Sequence, residues 1–169
     1  MNMPSRTDCH YIIEMLEAKL IDSRHTMPWA KRLLENSDVG PSWLIAVSHK
    51  RYTGDQIAAF REYVSSDCSG ERPRDLEKFH VGCLWLRYER RELSWASFLN
   101  ETGLHLDNSS CEWQCEVPFS YLTMYEDARF TIEAEERIKG LYLAEHDLLP
   151  WISLACEKYE SLVTCRIGR

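Results

Sequence analysis

Four side chains in the middle of the chain are of types that bind zinc. His80 and Cys83 lie three positions apart, and Cys111 and Cys115 lie four apart. Imidazole and thiolate are the usual ligands of structural zinc, often in pairs at such spacings. Neither pair is accompanied by a glycine-rich turn that would present it to a metal. We therefore expect no bound metal or cofactor. The alternative interpretation is a zinc-stabilised protein or a small metal-dependent helical enzyme with its site near these four residues.

His80 also forms a carboxylate–imidazole pair with Glu77, three residues earlier. Such pairs share a helix face and serve di-metal bundles, but those proteins need two copies and two further glutamates. The sequence contains one clear copy, and His80 lies on an apolar stripe beside Phe79 and Leu84. We therefore interpret His80 as a core histidine.

The common catalytic signatures do not occur in the sequence. There is no glycine-rich phosphate loop, no GxSxG nucleophile elbow and no HExxH metal motif. Cys9 and His10 are adjacent, which directs their side chains apart on a helix. The sequence predicts no catalytic residue and favours a binding protein over an enzyme.

The charge of the chain is divided unevenly along its length. Acids and bases balance over residues 1–100, so the net charge of −7 comes from residues 101–169. Residues 101–147 contain 11 acids and three bases. An acidic surface disfavours nucleic acid as a partner and attracts a basic protein. The alternative is a solvated face that only keeps the protein in solution.

Aromatic residues within this acidic segment are the candidates for contact with a partner. Tyrosine and tryptophan anchor many interfaces, and neighbouring carboxylates steer a basic partner and set its register. The alternative for any one of these rings is ordinary core packing. The predicted partner-binding residues are Glu112, Trp113, Glu116, Tyr121, Tyr125, Glu126 and Asp127.

In overall character, the chain resembles the small acidic immunity proteins that bacteria make against toxins. The resemblance rests on chain length, on the acidic second half and on the lack of a catalytic motif. It implies a cytosolic inhibitor without catalysis that occupies a basic toxin domain such as a nuclease. A further alternative is an accessory subunit whose apolar surface is covered by a partner or by a second copy. The sequence does not indicate an oligomeric state.

Periodicity indicates that helices position these residues. Apolar residues recur at three- and four-residue steps through most of the chain, which is typical of amphipathic helices. Capping and proline signals mark the starts of several of them. Helices are predicted from about Thr7 to Ile21, after Thr26, after Thr53, from about Arg74 to Glu92, after Ser94, from Pro118, and from near Asp147 or Pro150, and a short apolar segment begins at Pro41.

The sequence pattern of one segment predicts a β-strand and not a helix. Cys111, Trp113, Cys115 and Val117 alternate with polar residues at period two, and a turn-forming stretch precedes them. A helix start is the rival interpretation, since Cys111 and Cys115 also fall four apart. The predicted fold class is all-α: one domain over residues 1–169, a bundle of about seven or eight short helices with one small β-hairpin near 104–117.

Cellular location is predicted from cysteine usage and from the N-terminal residues. Seven cysteines with irregular spacing do not suggest a secreted disulfide framework. The first 20 residues lack the apolar block of a signal peptide, and no apolar run approaches the roughly 18 residues of a membrane span. We expect a cytoplasmic protein with reduced thiols and no membrane partner.

Overall fold

Helices account for nearly all regular structure in the computed structural model, which describes residues 3–35, 40–66, 72–109 and 112–164. Within these ranges there are nine α-helices and no strand, so the all-α prediction is confirmed. The helices are α1 (Arg6–Glu17), α2 (Ser23–Glu35), α3 (Ser42–His49), α4 (Thr53–Ser65), α5 (Leu76–Glu89), α6 (Trp95–Asp107), α7 (Glu116–Asp127), α8 (Ile132–Glu145) and α9 (Leu149–Thr164).

The contacts divide the chain into two compact units. The first contains Met1–Leu76 and Cys156–Arg169, and the second contains Glu77–Ala155. The boundaries therefore fall at the start of α5 and within α9. That the chain folds as a single domain stays a prediction.

A buried glutamine joins three helices of the first unit. Gln56 on α4 donates from Nε2 to the carbonyls of Val47 (3.2 Å) and Lys50 (2.9 Å) at the end of α3. Its Oε1 accepts from Thr26 Oγ1 of α2 at 2.7 Å. Gln56 and Thr26 are completely buried, and their hydrogen bonds offset the cost of burying polar groups. The core around them is apolar, with Trp29, Leu44 and Phe60 at its centre.

The second unit has an aromatic core. Trp95 and Phe98 on α6 stack with ring centroids 5.0 Å apart, and the edge of Tyr142 on α8 contacts both. All three side chains are almost completely buried. Aromatic pairs in these geometries add to the free energy gained from area burial. Helix α6 is therefore the central element against which the second unit packs.

The predicted β-hairpin near 104–117 is wrong. Leu104 and Leu106 belong to the last turns of α6, and Val117 lies in the first turn of α7. Exposure does alternate from Glu112 to Val117, as the sequence pattern indicated, but no described segment pairs with it as a strand. A period-two pattern reports alternate burial and does not supply a hydrogen-bonding neighbour. Ser110 and Cys111 lie outside the described residues.

Helix boundaries follow local signals only in part. Ser5, Ser94 and Thr131 accept hydrogen bonds from first-turn amides, as capping residues do. Helix α2 begins at Ser23, ahead of the proline expected near its start. The segment after Pro118 divides into α7 and α8 near Arg129, which brings the number of helices above the seven or eight predicted.

Three helix ends adopt left-handed turns without glycine. Lys19, Arg91 and Arg129 have φ of 58°, 60° and 55°. After Arg91, the amide of Glu92 donates to the carbonyl of Arg87, which is the Schellman pattern that satisfies a helix C-terminus. Each position costs about 1 kcal/mol relative to glycine. All three residues are basic, which favours them at the negative end of a helix dipole.

No described helix combines the length and the apolar composition needed to cross a membrane.

The packing of α6 against α7 depends on a glycine. A Cβ at Gly103 would lie 2.6 Å from Phe119 Cζ, whereas a Cβ at Gly140 on α8 would meet nothing within 4 Å. We expect Gly103→Ala to lower the free energy of unfolding by about 0.5–2 kcal/mol, because displacement of the Phe119 ring outweighs the gain of about 0.5–1 kcal/mol from replacing glycine in a helix interior. We expect Gly140→Ala to raise it by about 0.5–1 kcal/mol, because glycine weakens a helix interior. Urea denaturation of both variants tests this, and equal effects would contradict the close approach.

Candidate binding site

A cavity of about 840 Å³ opens where four helices of the second unit end or begin. Its size lies within the roughly 300–1,000 Å³ range of small-molecule pockets. We call it the aromatic pocket. It is lined by Trp85, Tyr88 and Glu89 of α5, Arg91, Leu93 and Ser94 of the following turn, Trp95 and Ala96 of α6, Tyr125 of α7, Phe130 of the next turn, and Glu135 and Lys139 of α8.

Five aromatic rings form the walls of the aromatic pocket. Trp85 meets Tyr88 and Trp95 edge to face, with centroids 5.6 and 6.0 Å apart. Tyr125 and Phe130 meet at 5.1 Å and 89° on the α7 side. Trp85, Trp95 and Tyr125 are buried, while Phe130 is 52% exposed. The walls are therefore anchored in the core, and one ring stands at the rim.

A single carboxylate is held among these rings. Tyr88 Oη donates to Glu135 Oε1 at 2.6 Å, and Tyr125 Oη donates to Glu135 Oε2 at 2.9 Å. Burial, reinforced by the hydrogen bond to Glu135, raises the pKa of Tyr125 to about 12. The same two causes raise the pKa of Tyr88. Both phenols therefore stay protonated at neutral pH and orient the carboxylate as donors.

The other charged groups of the aromatic pocket lie nearer its rim. Glu89 and Arg91 are exposed. Lys139 donates to Glu136 Oε1 at 2.5 Å, one turn earlier on α8. Two helix C-termini (α5 and α7) and two N-termini (α6 and α8) meet here, so their dipoles largely offset each other. The charges of the lining are therefore two carboxylates, Glu89 and Glu135, and two bases, Arg91 and Lys139, of which Lys139 is paired with Glu136.

One of the predicted partner-binding aromatics lies in the aromatic pocket. Tyr125 is a lining residue, whereas Tyr121 donates to Glu145 Oε2 at 2.5 Å and packs against Tyr142. Trp113 is half-buried, and its ring meets His146 edge to face at 5.0 Å. These two rings thus contribute to the packing of the second unit.

The four predicted acids are all exposed. Glu112 lies 3.6 Å from Lys78 Nζ, and Glu116 is in the first turn of α7, where its charge suits the helix dipole. Glu126 and Asp127 are in the last turn of the same helix, just before the pocket residue Phe130. That they contact a partner stays a prediction.

The residues of the alternative zinc interpretation do not converge. His80 and Cys83 are buried on α5, and the ring of His80 stacks on His105 with centroids 3.6 Å apart. Cys115 is half-buried and donates its thiol hydrogen to Asp107 Oδ1 at 3.6 Å. Within the described residues, His80, Cys83 and Cys115 form no set of ligand atoms close enough to share a metal. Cys111 lies outside these residues.

Sequence reasoning missed most of the aromatic pocket. Tyr88 and Glu135 are 47 positions apart, and no periodic pattern within one helix connects them. Trp95 is buried at the first position of α6, where it also lines the aromatic pocket. The one available signal was that aromatic residues and carboxylates occur together near helix ends.

Alkaline titration tests the burial and bonding of Tyr125. Its folded pKa of about 12 lies above the ordinary value of 10.0. A phenol with a raised pKa contributes stability that is complete below pH 10 and is lost as the pH rises toward 12. We expect the free energy of unfolding to fall over this interval, and Tyr125→Phe to reduce the fall. Denaturant titrations at several pH values measure it; the same variant at the exposed Tyr52 is the control, and equal slopes for wild type and Tyr125→Phe would contradict the arrangement.

Comparison with known proteins found no matching family model, no matching curated protein and no matching solved structure.

Proposed function

We propose that the protein is a non-catalytic cytoplasmic binding module that holds a cationic group of a basic protein partner in the aromatic pocket. One observation supports this most directly: the Glu135 carboxylate is fixed by two phenols within a cavity walled by five aromatic rings. Aromatic faces carry partial negative charge and attract cations. A carboxylate among them adds a full charge of the same sign.

The lining residues suit binding better than catalysis. A covalent mechanism needs a nucleophile beside a base, yet the lining contains no cysteine or histidine. Its one serine, Ser94, accepts from the amide of Ser97 as the cap of α6. The two phenols point their hydrogens at Glu135, which leaves that carboxylate poorly suited to take a proton from a substrate.

Exposed acids near the aromatic pocket support a basic partner. Glu126 and Asp127 precede Phe130, and Glu133 lies in the first turn of α8. None of these three has an ion-pair partner among the residues that the structure describes. Two acids at a helix C-terminus oppose the dipole of α7, and Arg129 alone follows to offset them. Their charges are therefore available to attract and orient a basic surface.

The partner side chain would act as a buried anchor in this arrangement. Interfaces gain most of their binding energy from a few groups that enter desolvated pockets, with charged residues around them. Inhibition of a basic toxin domain, as the resemblance to immunity proteins implies, is one form of the proposal. The parts of the proposal that experiment tests first are the Glu135 carboxylate and the aromatic pocket.

A short peptide with one central lysine, compared with the same peptide carrying norleucine, is a direct test. We expect the lysine peptide to shift the indole N–H signals of Trp85 and Trp95 in NMR titrations, with a Kd on the order of millimolar or tighter, about −4 kcal/mol. Glu135→Gln should weaken binding about tenfold, because a charge-assisted contact is lost.

The control variant is Glu62→Gln, which removes the same charge from an exposed position of α4 in the first unit. It should leave the affinity within about twofold, because exposed charges contribute little to a local contact. Equal binding of the norleucine and lysine peptides, or no effect of Glu135→Gln, would overturn the proposed function.

A further inference from the structure

We infer that the preferred occupant of the aromatic pocket is a fully methylated ammonium group, such as a trimethyl-lysine side chain, rather than a lysine ammonium or an arginine guanidinium. This inference rests on the proposed function and specifies the chemistry of the cation. Two features of the geometry point to a methylated cation. The lining is aromatic, and its hydrogen-bond acceptors already accept from donors within the protein.

The side-chain acceptors of Glu135 and Ser94 in the lining have donors from within the protein. Each oxygen of Glu135 accepts from a phenol, and Ser94 Oγ accepts from the Ser97 amide. The phenolic hydrogens of Tyr88 and Tyr125 are used for Glu135. The remaining carboxylate of the lining, Glu89, is exposed and hydrated at the rim.

Because these acceptors already have donors, a cation that carries N–H groups loses more free energy on entering the pocket than one that carries none. A lysine ammonium has three donors and a guanidinium has five. Each donor that leaves water without finding an acceptor costs free energy. The second lone pairs of Glu135 satisfy part of this need, and the rings satisfy little of it. A lysine or arginine that binds at Glu135 therefore loses part of the affinity that its charge provides.

A trimethylated ammonium does not incur that cost. It carries its charge on methyl groups that have no hydrogen-bond donor, so its hydration is weaker and its surface packs against rings. Aromatic faces together with a nearby carboxylate stabilise such cations, which is how quaternary ammonium ligands are generally recognised. Phe130 at the rim and the half-buried Tyr88 supply accessible ring surface, and Glu135 supplies the charge. The buried rings of Trp85, Trp95 and Tyr125 complete the lining.

The basic residues of the rim do not change this order of preference. Arg91 and Lys139 repel every cation of the same charge to a similar extent, so they lower affinity without discriminating between cations. Lys139 is also paired with Glu136, which reduces its effect. Discrimination comes from desolvation and from the aromatic walls.

Four peptides of one sequence test the inference by NMR titration of the intact chain. Their central residue is lysine, arginine, trimethyl-lysine, or a neutral analogue in which a tert-butyl group replaces the trimethylammonium group. We expect the trimethyl-lysine peptide to bind about five- to tenfold more tightly than the lysine and arginine peptides, and each of these two to bind more tightly than the neutral analogue.

Two variants test whether the tighter binding of the trimethyl-lysine peptide depends on the aromatic pocket. Glu135→Gln should reduce the difference between trimethyl-lysine and its neutral analogue, because it removes the charge and keeps the shape. Phe130→Ala should weaken the trimethyl-lysine peptide by removing a wall. Ile132→Ala is the matched control, since Ile132 is 78% exposed and does not line the pocket. Unfolding curves of all variants show whether each remains folded.

The outcomes separate this inference from the proposed function. If lysine or arginine binds as tightly as trimethyl-lysine while the neutral analogue binds weakly, the inference is overturned and the proposed function stands. If no cationic peptide binds more tightly than the neutral analogue, both are overturned. An advantage for trimethyl-lysine that survives both Glu135→Gln and Phe130→Ala would place the site elsewhere and overturn the inference.

Discussion

The carboxylate of Glu135 is the group on which the aromatic pocket depends. A carboxylate among aromatic rings loses hydration, and donors from two other helices replace it: Tyr88 from α5 and Tyr125 from α7. Because each phenol donates to a different oxygen, the orientation of the carboxyl plane is determined. The same two bonds connect α8 to α5 and α7. Glu135 thus provides a charge of the pocket and also links three helices. Removal of the side chain of Glu135, Tyr88 or Tyr125 leaves a polar atom without its hydrogen-bond partner.

Much of the fold could be predicted because amphipathic helices leave a periodic record in sequence. The apolar stripes of α1, α4 and α5 and the helix start at Ser94 are local features that report local structure. The hairpin failed for a related reason. Alternate burial from Glu112 to Val117 is real, but a strand also needs a neighbour, and sequence alternation cannot say whether one is present. Helix ends without glycine, such as the turn at Lys19, could not be predicted either, because glycine is the usual sequence signal of a left-handed helix end.

The candidate site was harder to predict than the fold. Its lining residues extend from Trp85 to Lys139 and meet only after four helix ends come together. Composition indicated that acids and aromatic rings share the second half of the chain, and Tyr125 was identified in this way. It could not indicate that Glu135 would accept hydrogen bonds from two tyrosines. Pairing between distant positions is a property of tertiary packing, for which a single sequence holds no direct pattern.

The left-handed turns at Arg91 and Arg129 restrict the backbone beside the aromatic pocket. A residue with a side chain has fewer backbone conformations in the unfolded chain than glycine, so the entropy lost when these turns form is smaller. Phe130, the rim ring, also has a positive φ of 55°, and its amide donates to the carbonyl of Tyr125. A glycine at Arg91 or Arg129 would relieve the left-handed strain in the folded state but would raise the entropic cost of folding at the mouth of the cavity.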